Sequence, residues 1–360
     1  MFNQNYSSYI GNSLKYLISQ AKIKGLTGEE IIARCRDCEI DGTLFGAISA
    51  GYLSAEDLQI ENEKLIQLLQ QYRIKQTAKT AFWFGTLKKV LDTTGDIPCI
   101  LLKGMPLSQI FHGELFWRNT NDIDLWVPEN QYKEAVSRIK KLGYRCDIQP
   151  HEWATNQIHL KHPVWPSVEI HWKLSPPPWR TPSFKYAYQR SVHFHDFGVD
   201  VHILSEADMW INLLIHAQQH FFAPKTILDL YGCLERLKPD LSLLDAYGLI
   251  PMYSLVQKVL TPDNVQKVLT PDKDLPKSTD ESHVIKVFRN LFAEMFINKK
   301  MGTLSLGSDS KFEAMIGVFL RALSMILLDG NMYKIRSIGT VLFYGPHRLG
   351  SCLNKLVRML

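Results

Sequence analysis

Asp122 and Asp124 stand two apart in the run Asp-Ile-Asp-Leu-Trp-Val, the spacing that puts both side chains on one face of a β-strand. Two converging carboxylates suit Mg²⁺, with Mn²⁺ as the alternative, because such ions take oxygen ligands and fill their remaining positions with substrate phosphates. Twenty residues upstream, the apolar run Ile100 to Leu102 ends in Lys103-Gly104, followed by an amphipathic stretch with Pro106 near its start. A strand turning into a helix at that glycine offers backbone amides and the positive end of the helix dipole to an anion, and Lys103 adds a full charge. Farther on, Ser167 to Leu174 alternates cleanly, with Val168, Ile170 and Trp172 on one face. Its other face carries Glu169, His171 and Lys173, which places a third carboxylate beside a base.

The elements that must hold these residues follow from periodicity. Up to about Thr94 the chain reads as helix: Tyr9 to Lys24, then Thr27 to Arg36 opened by Thr27 with Glu29 and Glu30 in its first turn, then a long helix from Ser54 or Ala55 to Leu91. From Pro98 to Leu204 short strands alternate with helices, including a helix over Pro128 to Leu142, strands at Gly143 to Ile148 and Gln157 to Lys161, and a proline-rich loop at Ser175 to Trp179. Val192 to His195 and Val199 to Leu204, split by Asp196-Phe-Gly198, form a hairpin. Beyond Ser205 the pattern is helical again, to about His220 and from Thr226 to Leu237. Val256-Gln-Lys-Val-Leu-Thr-Pro-Asp recurs at Val265, a single tandem copy too short for a solenoid and best suited to an exposed connection. Further helices are expected from His283 to Leu360, with Met315 to Leu328 buried and Leu353 to Leu360 presenting Lys355 and Arg358 to solvent.

With 360 residues, 46% hydrophobic and 21% charged, the chain is a globular protein of roughly two or three domains. A net charge of +5 accommodates a phosphate-bearing ligand without demanding a broad nucleic-acid face, so stable duplex DNA is not an expected partner. Cysteines are scattered, the opening residues carry no basic-then-apolar leader, and Met315 to Leu328 is too short to span a bilayer. A cytoplasmic protein with no membrane segment is therefore expected. Cys35-Arg-Asp-Cys38 has no second pair at metal spacing and reads as structural. His216 and His220 share a helical face, but Gln218 and Gln219 stand where a zinc-protease motif needs glutamate, so capping or packing is the expected role. No Gly-x-Ser-x-Gly elbow, Walker or dinucleotide fingerprint occurs.

Lys103-Gly104, then Arg118-Asn-Thr-Asn-Asp122-Ile-Asp124, then Glu169 on a later strand together resemble the DNA polymerase β-like nucleotidyltransferase superfamily, in particular its branch of uncharacterised nucleotidyltransferases and AbiEii-type toxins. The resemblance covers Pro98 to Leu174. It implies an α+β fold, a mixed-sheet nucleotidyltransferase core at 96–204 between an N-terminal helical region at 1–95 and a C-terminal helical domain at 205–360. It departs at the phosphate turn, where Met105-Pro106 follows Gly104 in place of a small hydroxyl residue, and Ser108 one turn on is the candidate substitute.

The chemistry implied is a Mg²⁺-dependent transfer of a nucleoside monophosphate from an NTP to a hydroxyl or phosphate of a non-polymer acceptor, with a peptide natural product among the options. Asp122, Asp124 and Glu169 form the metal and catalytic set, Glu169 either completing the metal site or taking the hydroxyl proton. Lys103, Gly104, Arg118 and Ser108 attend the phosphates, and His171 orients Glu169 or contacts substrate. Glycosyl transfer from a nucleotide sugar onto a peptide, a toxin-like transfer onto tRNA, and an idle nucleotide-binding module are the competing readings.

Overall fold

The computed structural model describes residues 6–146, 156–175, 181–220 and 223–260. Most of the proline-rich loop, the second copy of the duplication and the tail from His283 lie outside these residues, as does the side chain of His220.

Five helices precede the first strand: α1 (Ser8–Ile23), α2 (Gly28–Asp37), α3 (Asp41–Ser49), α4 (Ala55–Leu58) and α5 (Asn62–Thr94). The α2 start is built as its sequence suggests, a capping box in which Thr27 Oγ1 accepts from the Glu30 amide while the Glu30 carboxylate accepts from the Thr27 amide. Two expectations change here. The long helix expected from residue 54 or 55 to 91 is interrupted at Gln59, which takes the left-handed conformation (φ 54°) and closes α4 after four residues before α5 begins. No glycine or proline marks that break. Helix α3 was not anticipated, because Asp41 through Ala47 are all buried and the segment has no polar stripe to give it a helical period.

The sheet has six strands in the order β3-β4-β2-β1-β6-β5, formed by β1 (Ile100–Leu101), β2 (Asp122–Trp126), β3 (Gln157–Leu160), β4 (Ser167–His171), β5 (Val192–Asp196) and β6 (Val199–Ile203). It is mixed: β2 runs parallel to β4 and β1 parallel to β6, whereas β1–β2, β3–β4 and β5–β6 are antiparallel. The β5–β6 hairpin turns on Phe197 and Gly198, both at positive φ (47° and 69°), the combination a two-residue turn needs to match strand twist. The strand expected at Gly143 to Ile148 reduces, in its described part, to one bridge between Arg145 and Lys161. Helix α6 (Met105–His112) follows β1, α7 (Tyr132–Lys140) is shorter than its expected span, and α8 (Phe184–Arg190) adds a turn of helix past the proline-rich loop.

Both sheet faces are covered. Ile123, Leu125, Val168, Ile170 and Trp172 pack with Trp83, Phe84 and Leu87 of α5 and Ala135 and Ile139 of α7. Ile100, Leu102 and Trp126 face the other layer, made by α6, α9 (Glu206–His220), α10 (Pro224–Arg236) and α12 (Ile250–Leu260), with α11 (Leu241–Ala246) beside it. That second apolar cluster runs without a break into α1 to α5, so the N-terminal helices and the C-terminal helices share one core. Polar contacts reinforce the union. The Glu235 carboxylate of α10 accepts from the Ser8 amide at 3.2 Å and the Tyr9 amide at 3.3 Å, a negative charge at the start of α1 where the helix dipole favours it. Gly232 lets α10 press on α6, since a Cβ there would collide with the Phe111 ring.

Candidate active site

The β2–β4 register decides which acidic groups meet. Asp124 pairs with Glu169 and Trp126 with His171 on parallel neighbours, so Asp124, Glu169 and His171 emerge from the same face at adjacent positions. His171 Nε2 lies 3.1 Å from Asp124 Oδ1 and 3.6 Å from Glu169 Oε2. Among the described residues these three form the one group able to hold a metal ion, their ligand atoms all within 4.8 Å of one another. Two carboxylates and an imidazole nitrogen at that separation fit a divalent cation, the oxygen donors suiting Mg²⁺ or Mn²⁺ and the imidazole nitrogen a softer ion such as Zn²⁺. Gln157 on β3 donates from Nε2 to Glu169 Oε2 at 3.0 Å and fixes that carboxylate from the outer strand.

Asp122 opens β2 two residues before Asp124, half-buried where Asp124 is buried. Its backbone carbonyl accepts from Trp83 Nε1 of α5 at 2.9 Å, which pins the strand end on which both carboxylates depend. Burial and the neighbouring Asp124 charge raise the Asp122 carboxyl above its ordinary range, with Lys103 opposing. For Asp124 burial also pushes upward, but the Lys103 ammonium and the His171 hydrogen bond outweigh it and hold the carboxyl well below the usual range. Two nearby carboxylates held apart in this way are a common arrangement at reactive centres.

Lys103 Nζ reaches within 3.5 Å of Asp124 Oδ2. Burial would lower its pKa; Asp124, Asp122 and Glu169 together raise it, so the lysine stays charged. Gly104, at φ 90°, turns the chain from β1 into α6, and a Cβ there would sit 3.3 Å from both Thr120 Cγ2 and the Trp83 ring. The backbone angle favours glycine, and the space would hold a Cβ only tightly. Because Pro106 has no N–H, the first turn of α6 presents the Met105 and Leu107 amides, while the Ser108 amide already bonds to the Gly104 carbonyl at 3.2 Å.

The remaining candidates are engaged elsewhere. Ser108 is fully buried; its hydroxyl donates to the Glu114 carbonyl at 2.7 Å and accepts from the Arg118 amide at 2.9 Å, bracing the loop that leads to β2. Arg118 is also buried, and its Nε and Nη2 each donate to the Asp229 carboxylate of α10 at 2.8 Å. Its guanidinium is thus a fastener between the loop and α10, and it acts on the carboxylates through its charge. Cys35 is wholly buried in α2, in keeping with a structural role for the Cys35/Cys38 pair, and His216 is outside the metal-capable group.

The flanking helices contribute residues that sequence reasoning missed. Lys79 of α5 donates to Asn121 Oδ1 at 2.7 Å, and Lys225 of α10 lies 3.1 Å from Glu39 Oε2. Asn121 Nδ2 in turn donates to Glu39 Oε1 at 3.3 Å. All four surround the entry to β2, and their separation in the chain gave no spacing to read.

A carboxylate pair on a strand, a third acid on its parallel neighbour and a lysine at a strand-to-helix glycine turn are thereby brought together on a mixed sheet. The family described as "Uncharacterised nucleotidyltransferase" matches residues 29–247, more than half of the chain. The chain belongs to this family of nucleotidyltransferases. It is accordingly a transferase whose substrate class is the nucleoside triphosphate, and the expected α+β mixed-sheet fold is the fold observed. Among solved structures, the solution structure of the antibiotic-resistance factor ANT(2'')-Ia aligns over 61% of this chain and 95% of its own at 14% identity, with a TM-score of 0.27. No curated protein matches the chain. Among the described residues, no helix of this nucleotidyltransferase is long and apolar enough to cross a membrane.

Proposed function

We propose that the protein transfers a nucleoside monophosphate from an NTP, in a Mg²⁺-dependent reaction, to a hydroxyl or phosphate of a non-polymer acceptor. The observation that carries this reading is the lateral pairing of Asp124 with Glu169 on parallel strands, with Lys103 Nζ 3.5 Å from Asp124. Of the metal-capable group, Asp124 would hold the cation together with Asp122 at the strand end, and Glu169 would either complete that shell or serve as the base; the charge of the bound cation would neutralise the triphosphate and ease ionisation of the acceptor hydroxyl.

The chain's own groups do the rest. As the base, Glu169 takes the proton from the acceptor hydroxyl as the hydroxyl oxygen bonds to the α-phosphorus, and the bond from that phosphorus to the bridging oxygen breaks, releasing pyrophosphate. Lys103 stays beside the carboxylates and balances the charge that moves toward the leaving group. His171, bonded to Asp124 through Nε2 and 3.6 Å from Glu169, orients the two neighbouring carboxylates. Gly104 allows the phosphates to approach the α6 amides.

A net charge of +5 favours a small molecule or peptide over a long RNA footprint. The test is incubation of the purified protein with each α-labelled NTP, Mg²⁺ and fractionated cell extract, followed by tracing the label into peptide, small-molecule and tRNA fractions. Transfer that persists unchanged when Asp122→Asn and Asp124→Asn are combined would remove the site from the reaction. Binding of nucleotide sugars alone, with no NTP turnover, would favour glycosyl transfer.

A further inference from the structure

We propose that Lys79 of α5, Lys225 of α10 and the Asn121 amide form a polyphosphate-binding station beside Asp122, and that the Glu39 carboxylate occupies it when no nucleotide is bound. The inference rests on the nucleotidyltransferase reading above and specifies which end of the nucleotide the flanking helices receive.

Position supports it first. Asn121 immediately precedes Asp122, so a group bonded to its side chain lies next to the first carboxylate of β2. Lys79 arrives from the helix covering one sheet face and Lys225 from the helix covering the other, so the two ammonium groups close on the end of β2 from opposite layers. Neither is a freely solvated surface lysine: the Lys225 side chain is 24% exposed, and Lys79 is half-buried.

Charge supports it second. Arg118, the third cation of the group, is matched by Asp229 in a buried two-bond pair. Lys225 is ion-paired with Glu39, whose side chain is 52% exposed, and also feels the Asp229 charge; Lys79 donates to a neutral amide oxygen, with the Asp41 and Glu39 charges nearby. The ammonium groups therefore repel one another: burial first, then the Arg118 charge, lowers the Lys225 pKa, and burial, then the Lys225 charge, lowers that of Lys79. Mutually repelling ammonium groups held beside one another, one of them on a neutral acceptor, offer a polyanion a place to bind.

Glu39 supports it third. Its two oxygens accept separately from Lys225 Nζ and Asn121 Nδ2, the divergent two-acceptor geometry that a pair of phosphate oxygens also offers. The same donors thus hold a carboxylate that a β- or γ-phosphate could displace. The leaving pyrophosphate would remain on this station after the α-phosphorus has moved to the acceptor.

The test is titration of the full-length protein with inorganic pyrophosphate and Mg²⁺, and separately with each NTP, by calorimetry. Lys79→Gln and Lys225→Gln are each expected to weaken pyrophosphate binding by about tenfold and the double variant by about a hundredfold. Glu39→Gln is expected to act oppositely and tighten it by a few-fold, because removing the competing charge frees Lys225; this sign separates displacement from loss of folding. Pyrophosphate affinity unchanged in the double variant, or weakened by Glu39→Gln in a protein that still melts cooperatively, would overturn the proposal. Failure here is distinct from failure of the transfer reading: lysine variants that bind pyrophosphate normally while Asp122→Asn with Asp124→Asn abolishes label transfer remove only the station.

Discussion

The Arg118 guanidinium and the Asp229 carboxylate meet through two hydrogen bonds of 2.8 Å, Nε to Oδ1 and Nη2 to Oδ2, although 111 residues separate them in the chain. Both side chains are buried, so each leaves an uncompensated charge if the other is removed. Asp229→Ala and Arg118→Ala are each expected to cost about 3–5 kcal/mol in urea unfolding. Arg118→Lys should recover only part of this, since an ammonium cannot make both bonds in parallel. A cost below about 1 kcal/mol would mean that the pair is not what joins the β2 loop to α10.

The acidic cluster trades stability for chemistry. Burial and the adjacent Asp124 charge disfavour an ionised Asp122, so Asp122→Asn should raise the melting temperature by a few degrees, about 1 kcal/mol, while reducing transfer by roughly 10²–10³-fold. Asp124→Asn should reduce transfer as much without that gain, because Lys103 and His171 then lose their buried partner. In the wild type, Mg²⁺ at about a hundredfold over its dissociation constant should add ~2.7 kcal/mol of stability, and the combined variant should show none of it. Thermal melts with and without Mg²⁺ decide both points.

A pH effect should come from His112, at the far end of α6. Burial pushes its pKa down to about 3; Asp229 opposes, and Arg118 and Arg236 add to the lowering. Its Nδ1 is buried with no hydrogen-bond partner, and the ring packs 5.0 Å from that of Tyr6. The sign follows directly. Below the unfolded value of about 6.5 the unfolded chain takes up a proton that the folded chain refuses, so stability falls as pH drops from there toward 3, by up to about 1.4 kcal/mol per pH unit. Unfolding free energies at pH 7 and 5 should differ less in His112→Phe than in the wild type; an equal difference would refute the assignment.

Gly104→Ala places a side chain at φ 90° against Thr120 and Trp83. About 1–3 kcal/mol of destabilisation is expected from the backbone alone. Nucleotide affinity should fall further than in a surface substitution of equal stability cost, because the turn positions the α6 amides. Calorimetric NTP titration beside the melt separates the two effects.

What could be read in the sequence was what depends on short spacing. Asp122 and Asp124 on one strand face, the Lys103-Gly104 turn, the Thr27 capping box and the β5–β6 hairpin are all contained within a few residues, and each is found in the structure. Glu169 and His171 could be assigned to a common face but not to a neighbour, since only the β2–β4 register makes them face Asp124. Arg118 and Ser108 had plausible types at plausible positions. Their partners, Asp229 and the Glu114 carbonyl with the Arg118 amide, come from tertiary packing that no local pattern encodes. Lys79 and Lys225 were invisible for the same reason, as helix-surface lysines ordinarily belong to solvent.

Strand β1 has two residues, Ile100 and Leu101, yet it is the seam of the sheet: β2 pairs on one side and β6, about a hundred residues later, on the other. On a ribosome adding about 5–20 residues each second, that seam stays open for several seconds after β1 and β2 have emerged. The Asp122–Asp124 strand is therefore made early but secured late, when Ile203 arrives and the helices that follow it close over Trp126. A truncation ending before β6 leaves a bare, apolar strand edge, the kind that pairs with other chains, so the fold should be assembled as a whole or lost to aggregation.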